Sequence, residues 1–228
     1  ALDGSNGFVI NGFSNSISSL SSAGDVNGDG FDDLLFGSGY GGYAGEGYVI
    51  FGRDFTGQVT AAGTPNDDVL IGTTGADIMI GDVGNDLLLR RRGSDVVKGG
   101  AGDDTLTVRD LNFRQLDGGS GTDTLRLTGW GLNLDLTTIA DNKITGIEKI
   151  DLSGRGNHHL TFDVLDVLAL SDTTNQLIVQ GSVGDTVSST GQGWLFDGTT
   201  NLDDTLYNQY SQGAASLLVS AQIAQTIT

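Results

Sequence analysis

The chain has 228 residues and a formal net charge of −18, and 27 of its 29 acidic residues are aspartates. This charge argues against partners such as nucleic acid or an anionic membrane surface, and the absence of cysteine excludes stabilisation by disulfides. No stretch approaches the ~20 consecutive apolar residues of a membrane-spanning helix, so we expect no membrane span.

Residues 1–53 are predicted to form short β-strands separated by turns rich in glycine and serine. The candidate strands are GFVI, DLLFG and GYVIFG. Glycine at this density supplies the positive φ angles that tight turns require. We therefore expect the first region to be a small β unit with prominent loops.

Four aspartates crowd into the nine residues ahead of the second of these strands. Oxygen-bearing side chains recur at every second position before a glycine turn, and a final carboxylate closes the loop. This spacing lets a loop wrap around Ca²⁺, which takes six to eight oxygen ligands. The predicted ligands are four side chains and one backbone carbonyl, at Asp25, Asn27, Asp29, Asp33 and, for the carbonyl, Phe31.

This loop and the closing GEGYVIFG resemble the calcium-binding FG-GAP repeat, a β-propeller blade also found in integrin α chains. The resemblance covers roughly residues 4–53, which is one blade.

Residues 63–107 form five unbroken nonapeptides, in which Asp recurs at a fixed position and an apolar residue follows two positions later. A sixth copy, GGSGTDTLR, follows an interruption at 108–117. The five copies are GTPNDDVLI, GTTGADIMI, GDVGNDLLL, RRRGSDVVK and GGAGDDTLT. They resemble the RTX repeat G-G-x-G-x-D-x-U-x, which builds calcium-binding parallel β-rolls. We therefore predict a short β-roll over 63–127.

The resemblance also implies a set of metal ligands. In that fold two nonapeptides complete one coil, and an ion lies between copies n and n+2. This pairs Asp68 with Asp86 and Asp86 with Asp104 on one side of the roll, and Asp77 with Asp95 on the other. Backbone carbonyls at the first, third and fifth turn positions would complete the shells, at Gly81, Val83, Asn85, Gly99, Ala101 and Asp103.

One copy departs from the repeat, because Arg90, Arg91 and Arg92 stand where the family has glycine. Their charge opposes a cation between Asp77 and Asp95. We expect about three calcium ions, one in the first loop and two in the roll, with this fourth site opposed. An arginine run can also indicate binding to nucleic acid or lipopolysaccharide, but in so acidic a chain the favoured interpretation is that the arginines offset nearby aspartates.

Residues 128–228 are predicted to form a mainly antiparallel β domain with one short helix at 163–170. Alternating leucines in TLRLTGWGLNLDLT are typical of half-buried strands. The region resembles the domain that follows RTX repeats in type I-secreted bacterial surface proteins. That resemblance implies an uncleaved secretion signal after about residue 200.

The sequence offers no recognisable catalytic constellation. The two histidines, His158 and His159, are adjacent, so on a strand they face opposite sides and cannot chelate one ion together. Trp130 and Trp194 could stack on a sugar, but the favoured interpretation places them in a core. We therefore expect no enzyme activity.

The predicted fold class is all-β: one FG-GAP-like blade, a short parallel β-roll and a mainly antiparallel C-terminal domain with one short helix. The predicted function is a calcium-binding structural or adhesive module at the bacterial cell surface, without catalysis. A self-assembling subunit of a filament, sheath or surface layer is one alternative, and the non-catalytic tail of a secreted hydrolase is another. The expected partners are further copies of the chain or a cell-surface ligand.

Overall fold

The computed structural model describes residues 17–24, 26, 33–38, 46–50, 59–171 and 174–228. The chain divides into two compact units, Ala1–Val59 and Thr60–Thr228. Most described residues lie in strands, and the described part contains a single α-helix. This confirms the predicted all-β class with one short helix.

The first unit contains a three-stranded antiparallel sheet with β2 in the middle. Its strands are β1 (Ile17–Gly24), β2 (Asp33–Ser38) and β3 (Glu46–Ile50). The predicted strand DLLFG lies in β2, and the described part of GYVIFG, residues 47–50, lies in β3. The third, GFVI, lies outside the described residues.

The second unit is built from eighteen strands and one helix in the part of the chain that the structure describes. The helix is α1 (Val164–Leu170). The strands are β4 (Ala61–Ala62), β5 (Val69–Ile71), β6 (Ile78–Val83), β7 (Leu87–Leu89), β8 (Asp95–Ala101), β9 (Thr105–Val108), β10 (Phe113–Ser120), β11 (Thr124–Leu127), β12 (Asn133–Asp135), β13 (Ile144–Thr145), β14 (Lys149–Asp151), β15 (His159–Thr161), β16 (Gln176–Gln180), β17 (Thr186–Ser189), β18 (Leu195–Leu202), β19 (Thr205–Gln212), β20 (Ala215–Ser220) and β21 (Ala224–Ile227).

Consecutive strands from β4 to β11 alternate between two sheets, so the chain winds as a roll. One sheet has the order β13-β10-β8-β6-β4, and the other has the order β18-β19-β20-β16-β14-β11-β9-β7-β5. A four-stranded sheet, β12-β15-β17-β21, adds a third face from β12 onward. In the RTX region each strand therefore pairs with a strand one coil away, and each turn stacks on the turn of the preceding coil.

In the RTX region, each of the two main sheets contributes one row of apolar side chains to the interior of the roll. Partners in the RTX region lie 18 residues apart, as in Met79↔Val97 and Leu88↔Leu106, and all four side chains are fully buried. The apolar residue of each nonapeptide thus points inward. Burying one such side chain contributes about 1.5–3 kcal/mol, so each coil adds only a modest increment of stability.

The pairing after residue 127 differs from the mainly antiparallel arrangement expected from the sequence. The strands β11, β14, β16 and β20 pair in parallel, as do β12, β15, β17 and β21. Antiparallel pairing in this region is confined to β18, β19 and β20. Alternating apolar residues indicate only that one face of a strand is buried. A roll also buries one face of its parallel strands, so this pattern does not distinguish parallel from antiparallel pairing.

The predicted helix at 163–170 is confirmed as α1. Its N-terminus has a capping box, because Asp163 accepts the Asp166 backbone N–H and Asp166 accepts the Asp163 backbone N–H. The helix buries Val167 and Leu170, and it packs against β13, β16 and β20.

Candidate metal centre

The predicted calcium loop of the first unit falls mostly outside the described residues. This applies to Asp25, Asn27, Asp29 and Phe31. Asp33 is the first residue of β2, where it pairs with the last residue of β1. The ligand set of this loop stays a prediction.

In the second unit, aspartates that precede successive strands of the nine-stranded sheet form a column. The backbone N–H of Asp68 donates to Oδ1 of Asp86 at 2.8 Å, and the N–H of Asp86 donates to Oδ1 of Asp104 at 2.7 Å. The structure therefore brings together the residues of both pairs predicted on this side of the roll. We call this set, with its continuation below, the carboxylate column.

The carboxylate column continues beyond the predicted ligands. The N–H of Asp104 donates to Oδ1 of Asp123 at 2.8 Å, and the N–H of Asp123 donates to Oε2 of Glu148 at 2.9 Å. Asp123 occupies the recurring Asp position of the sixth nonapeptide, GGSGTDTLR, so the repeat itself was the signal that could have added it. Glu148 follows 25 residues later with a longer side chain, and no fixed period marks it.

Three carboxylates of the column have one buried oxygen without a hydrogen-bond donor among the described residues: Oδ2 of Asp86, Asp104 and Asp123. At Asp68 the corresponding oxygen accepts from the N–H and Oγ1 of Thr64, at 2.6 and 2.8 Å. A buried anionic oxygen without a partner is costly unless a cation compensates it. Three such oxygens in one column therefore fit a hard divalent cation such as Ca²⁺.

Burial also disfavours the charged forms of these aspartates. It raises the pKa of Asp123 from its ordinary value of 3.8 to about 7, and that of Asp104 to about 6. Burial raises the pKa of Asp86 in the same direction, and neighbouring carboxylates add to the effect in all three cases. Nearby positive charge would oppose these shifts, so the column favours a bound cation.

The first glycine of each turn brings a backbone carbonyl close to these oxygens. A Cβ atom on Gly81 would lie 2.3 Å from both Oδ2 of Asp86 and the carbonyl oxygen of Gly99. On Gly99 it would lie 2.2 Å from Oδ2 of Asp104 and 2.4 Å from the carbonyl oxygen of Gly118. Only glycine fits at these two positions, and the predicted carbonyl ligand Gly99 lies beside the Asp86 carboxylate.

The other predicted carbonyl ligands lie in stacked turns. Val83 pairs with Ala101, whose carbonyl oxygen accepts the N–H of Gly84 at 2.9 Å. The side-chain Oδ1 of Asn85 accepts the N–H of Asp103 at 2.8 Å. The turns are therefore fixed in register, and the part that these carbonyls take in coordination stays a prediction.

The pair predicted on the other side of the roll is also in contact, because the N–H of Asp77 donates to Oδ1 of Asp95 at 2.9 Å. Its other oxygens have partners. Oδ2 of Asp77 accepts the N–H of Thr73 at 2.7 Å, and Oδ2 of Asp95 lies 2.7 Å from Nε of Arg90. Oδ2 of Asp95 accepts no hydrogen bond among the described residues, but the charge of Arg90 compensates it, unlike the buried oxygens of the carboxylate column.

Arg90 is fully buried, and oxygen atoms surround its guanidinium group. Besides its ion pair with Asp95, it donates to the carbonyl oxygens of Gly93 and Asp110 at 2.7 Å, to that of Asn112, and to Oδ1 of Asp110 at 2.9 Å. The sequence predicts that the arginines offset aspartates and oppose a cation here. In the structure, Arg90 brings its own positive charge into this turn.

Across the described ranges, no group of three or more His, Cys, Asp or Glu side chains is placed to hold a metal ion. A cation in the column would therefore depend on two carboxylates together with backbone carbonyls. No helix of the described part is long and apolar enough to cross a membrane.

Comparison with known families gives two matches. An FG-GAP repeat matches residues 18–50, and the RTX calcium-binding nonapeptide repeat (4 copies) matches residues 62–97 and 91–109. A search of curated proteins gave no match. RTX nonapeptides indicate calcium binding and are typical of secreted proteins, and both repeat families are typically non-catalytic structural modules. The chain therefore contains an FG-GAP repeat followed by RTX calcium-binding nonapeptide repeats, as its motifs predict.

Proposed function

We propose that this chain is a non-catalytic, calcium-binding structural and adhesive module of a secreted bacterial surface protein. Calcium folds and stabilises its roll outside the cell. The observation that carries the proposal is the set of three buried, unpartnered carboxylate oxygens, at Asp86, Asp104 and Asp123. The RTX match over the turns that carry Asp86 and Asp104 supports it, and Asp123 lies beyond the matched residues.

The column explains why an ion would act as a link between coils. Neighbouring strands of a sheet lie about 4.8 Å apart, so successive carboxylates of the column are close. At about 5 Å and an effective dielectric constant of about 20, two such charges repel by about 3 kcal/mol. A Ca²⁺ ion bound between two turns replaces this repulsion with attraction to both coils.

The same coupling makes folding depend on location. Extracellular calcium modules bind with Kd values of roughly 10⁻⁴–10⁻³ M. Sites of this affinity stay mostly empty at cytosolic calcium levels and fill outside the cell, where calcium is far more abundant. Because only the folded roll presents the site, binding energy becomes folding energy.

The histidines give no reason to assign a catalytic role. His158 is fully buried, and its Nδ1 accepts the N–H of Leu132 at 3.0 Å. His159 is the first residue of β15 and is exposed, and its ring contacts the hydroxyl of Thr186. Within the described residues, no further side chain holds the His159 ring in position as a base for the Thr186 hydroxyl, and the module works by structure and contact.

The test is calcium titration calorimetry with Asp104→Asn, which changes a carboxylate shared by two neighbouring pairs. We expect this variant to lose calcium stoichiometry, and Asp123→Asn to do the same, because Asp123 is likewise shared by two neighbouring pairs. Asp103→Asn is the matched control, because it keeps the backbone carbonyl predicted as a ligand, and because the equivalent residue of the preceding coil, Asn85, makes the same type of side-chain hydrogen bond. Equal calcium binding by Asp104→Asn and the control would refute the proposed sites.

Self-association is the second candidate function, and one observation favours it. The strand β18 is the outer strand of the nine-stranded sheet, and its Leu195 and Phe196 side chains are 65% and 60% exposed. An exposed apolar edge strand is a template for pairing with another copy. Light scattering in calcium should detect oligomers that Phe196→Asp disrupts, and a monomer at all concentrations would contradict this function.

A further inference from the structure

A groove lined by arginines lies on the second unit, away from the carboxylate column. It has a volume of about 440 Å³, and its walls include Arg91, Arg92, Arg109, Arg155 and Trp130. This volume falls within the range of about 300–1,000 Å³ that is usual for small-ligand sites. We call it the arginine groove.

The charge of the groove contrasts with that of the chain. Four of the eight arginines line it, although the net charge of the chain is −18. Within the described residues, none of these four side chains forms an ion pair or a hydrogen bond, whereas Arg90 and Arg126 are paired with aspartates. A cluster of like charges is unfavourable by itself. The chain has many aspartates, yet none of them is paired with these four arginines among the described residues. Their uncompensated positive charge suits an anionic ligand.

Trp130 adds an aromatic surface to the same groove, and its side chain is 79% exposed. Its backbone is fixed beside Arg155 by a parallel bridge, and the N–H of Gly131 donates to the carbonyl oxygen of Arg155 at 3.0 Å. An indole this exposed contributes little to the core. The structure therefore places a flat apolar ring next to several unpaired guanidinium groups.

We propose that the arginine groove binds an acidic saccharide, a sugar carrying carboxylate or sulfate groups. The planar fork of a guanidinium group matches such oxyanions with two parallel hydrogen bonds. The indole of Trp130 stacks on the apolar face of the sugar ring. This site goes beyond the proposed structural function and requires only that the roll be folded.

The distribution of charge selects this class of ligand over a long polyanion. Outside the groove the chain is even more negative than its net charge of −18, so a nucleic acid extending past the four arginines would meet repulsion. A short saccharide places its few charges within the groove.

The test is titration calorimetry with a sulfated, uronate-containing disaccharide in millimolar calcium, with circular dichroism verifying the fold of each variant. We expect saturable binding that weakens about tenfold in Arg155→Gln, which removes a charge-assisted hydrogen bond, and about tenfold in Trp130→Ala, which removes the stacking surface. Arg114→Gln is the matched control, because Arg114 is exposed, carries the same charge and lies outside the groove.

Four further probes decide between ligand classes. The unsulfated neutral disaccharide should bind much more weakly than the acidic one. Inorganic sulfate binding as tightly as the disaccharide would overturn the saccharide assignment, as would tighter binding to vesicles of anionic phospholipid or to a single-stranded oligonucleotide. An absence of saturable disaccharide binding by the folded protein would also overturn it, while leaving the calcium-binding proposal intact.

Discussion

At the scale of single residues, Asp123 combines the properties that make the column sensitive to its surroundings. It is fully buried, one oxygen accepts the N–H of Asp104, and the other oxygen has no donor within the described part of the chain. Its neutral form is therefore favoured when no cation is bound, and its charged form is the one that binds a cation. Protons and calcium should compete for this group.

The first prediction follows from the raised pKa values, about 6 for Asp104 and about 7 for Asp123. A carboxyl group whose pKa is higher in the folded state than its unfolded value of about 3.8 contributes its full stability below pH 3.8. Above that pH the unfolded chain loses the proton first, so this contribution declines and is lost as the pH rises through the folded pKa. In chelator, the free energy of unfolding should thus be larger at pH 5 than at pH 8. Urea denaturation at the two pH values measures it.

The variant Asp123→Asn separates this effect from the general charge of the chain. It removes the titrating group, so the difference in unfolding free energy between pH 5 and pH 8 should shrink, and stabilisation by calcium should fall as well. An unchanged pH dependence in this variant would show that Asp123 does not carry the effect.

The second prediction concerns close approach of the backbone between coils. Gly102 has φ 132°, and a Cβ atom there would lie 2.1 Å from the carbonyl oxygen of Gly84. Gly102→Ala should therefore destabilise the roll by more than the ~1–2 kcal/mol of an unfavourable φ alone. Gly191→Ala is the control, since Gly191 has φ 71° with open space around it. Equal thermal denaturation midpoints for the two variants would contradict the stacking of the turns.

At the scale of elements, the turn between β7 and β8 differs from its neighbours because it contains a positively charged side chain, the guanidinium group of Arg90. Arg90 forms an ion pair with the Asp95 carboxylate there, and it donates hydrogen bonds to oxygens of Gly93, Asp110 and Asn112. This turn should hold its shape without calcium, in contrast to the turns of the carboxylate column.

The third prediction tests that contrast with two variants. Arg90→Met leaves Asp95 buried without its partner, which typically costs about 3–5 kcal/mol, and urea denaturation in chelator should show the loss. Restoring the repeat residues by Arg90→Gly, Arg91→Gly and Arg92→Ala should instead add or tighten a calcium site between Asp77 and Asp95. Calorimetry that finds equal stoichiometry and affinity in the restored and parent chains would show that the arginines do not oppose an ion.

The elements also show how far the sequence alone could be read. The nonapeptide period locates the inward residues Leu88 and Leu106, and the segment DVLDVLAL at 163–170 locates α1. The nonapeptide period could not give the pairing direction of the later strands. There the paired apolar residues Leu125, Ile150 and Val179 are separated by 25 and then 29 residues. Coils of unequal length hide a repeat from any search for a fixed period.

The candidate site was predictable where it depends on the repeat and hidden where it depends on the fold. The pairs among Asp68, Asp86 and Asp104 follow from copies two positions apart. Glu148 joins the column only because a longer coil returns to the same edge. The burial of Arg90 was equally hidden, since an arginine run by itself is typical of an exposed surface.

At the scale of the whole molecule, the second unit is a stack of coils in which each contributes few inward side chains. A short strand orders several residues for one fully buried apolar side chain, as with Leu88 in β7. Ordering a residue costs about 1–2 kcal/mol, so burial of this size does not stabilise an isolated coil. Repulsion within the carboxylate column adds to the cost, and calcium removes it. Folding of the RTX region should therefore depend on calcium binding.

The most direct test of this account is amide hydrogen exchange across residues 63–127, measured in chelator and in millimolar calcium. We predict strong protection in calcium for the amides of β5, β7 and β9 and for the N–H groups of Asp86 and Asp104, with that protection largely lost in chelator. Strong protection of the same amides in chelator would contradict the account, because it would mean that the roll folds without the ion.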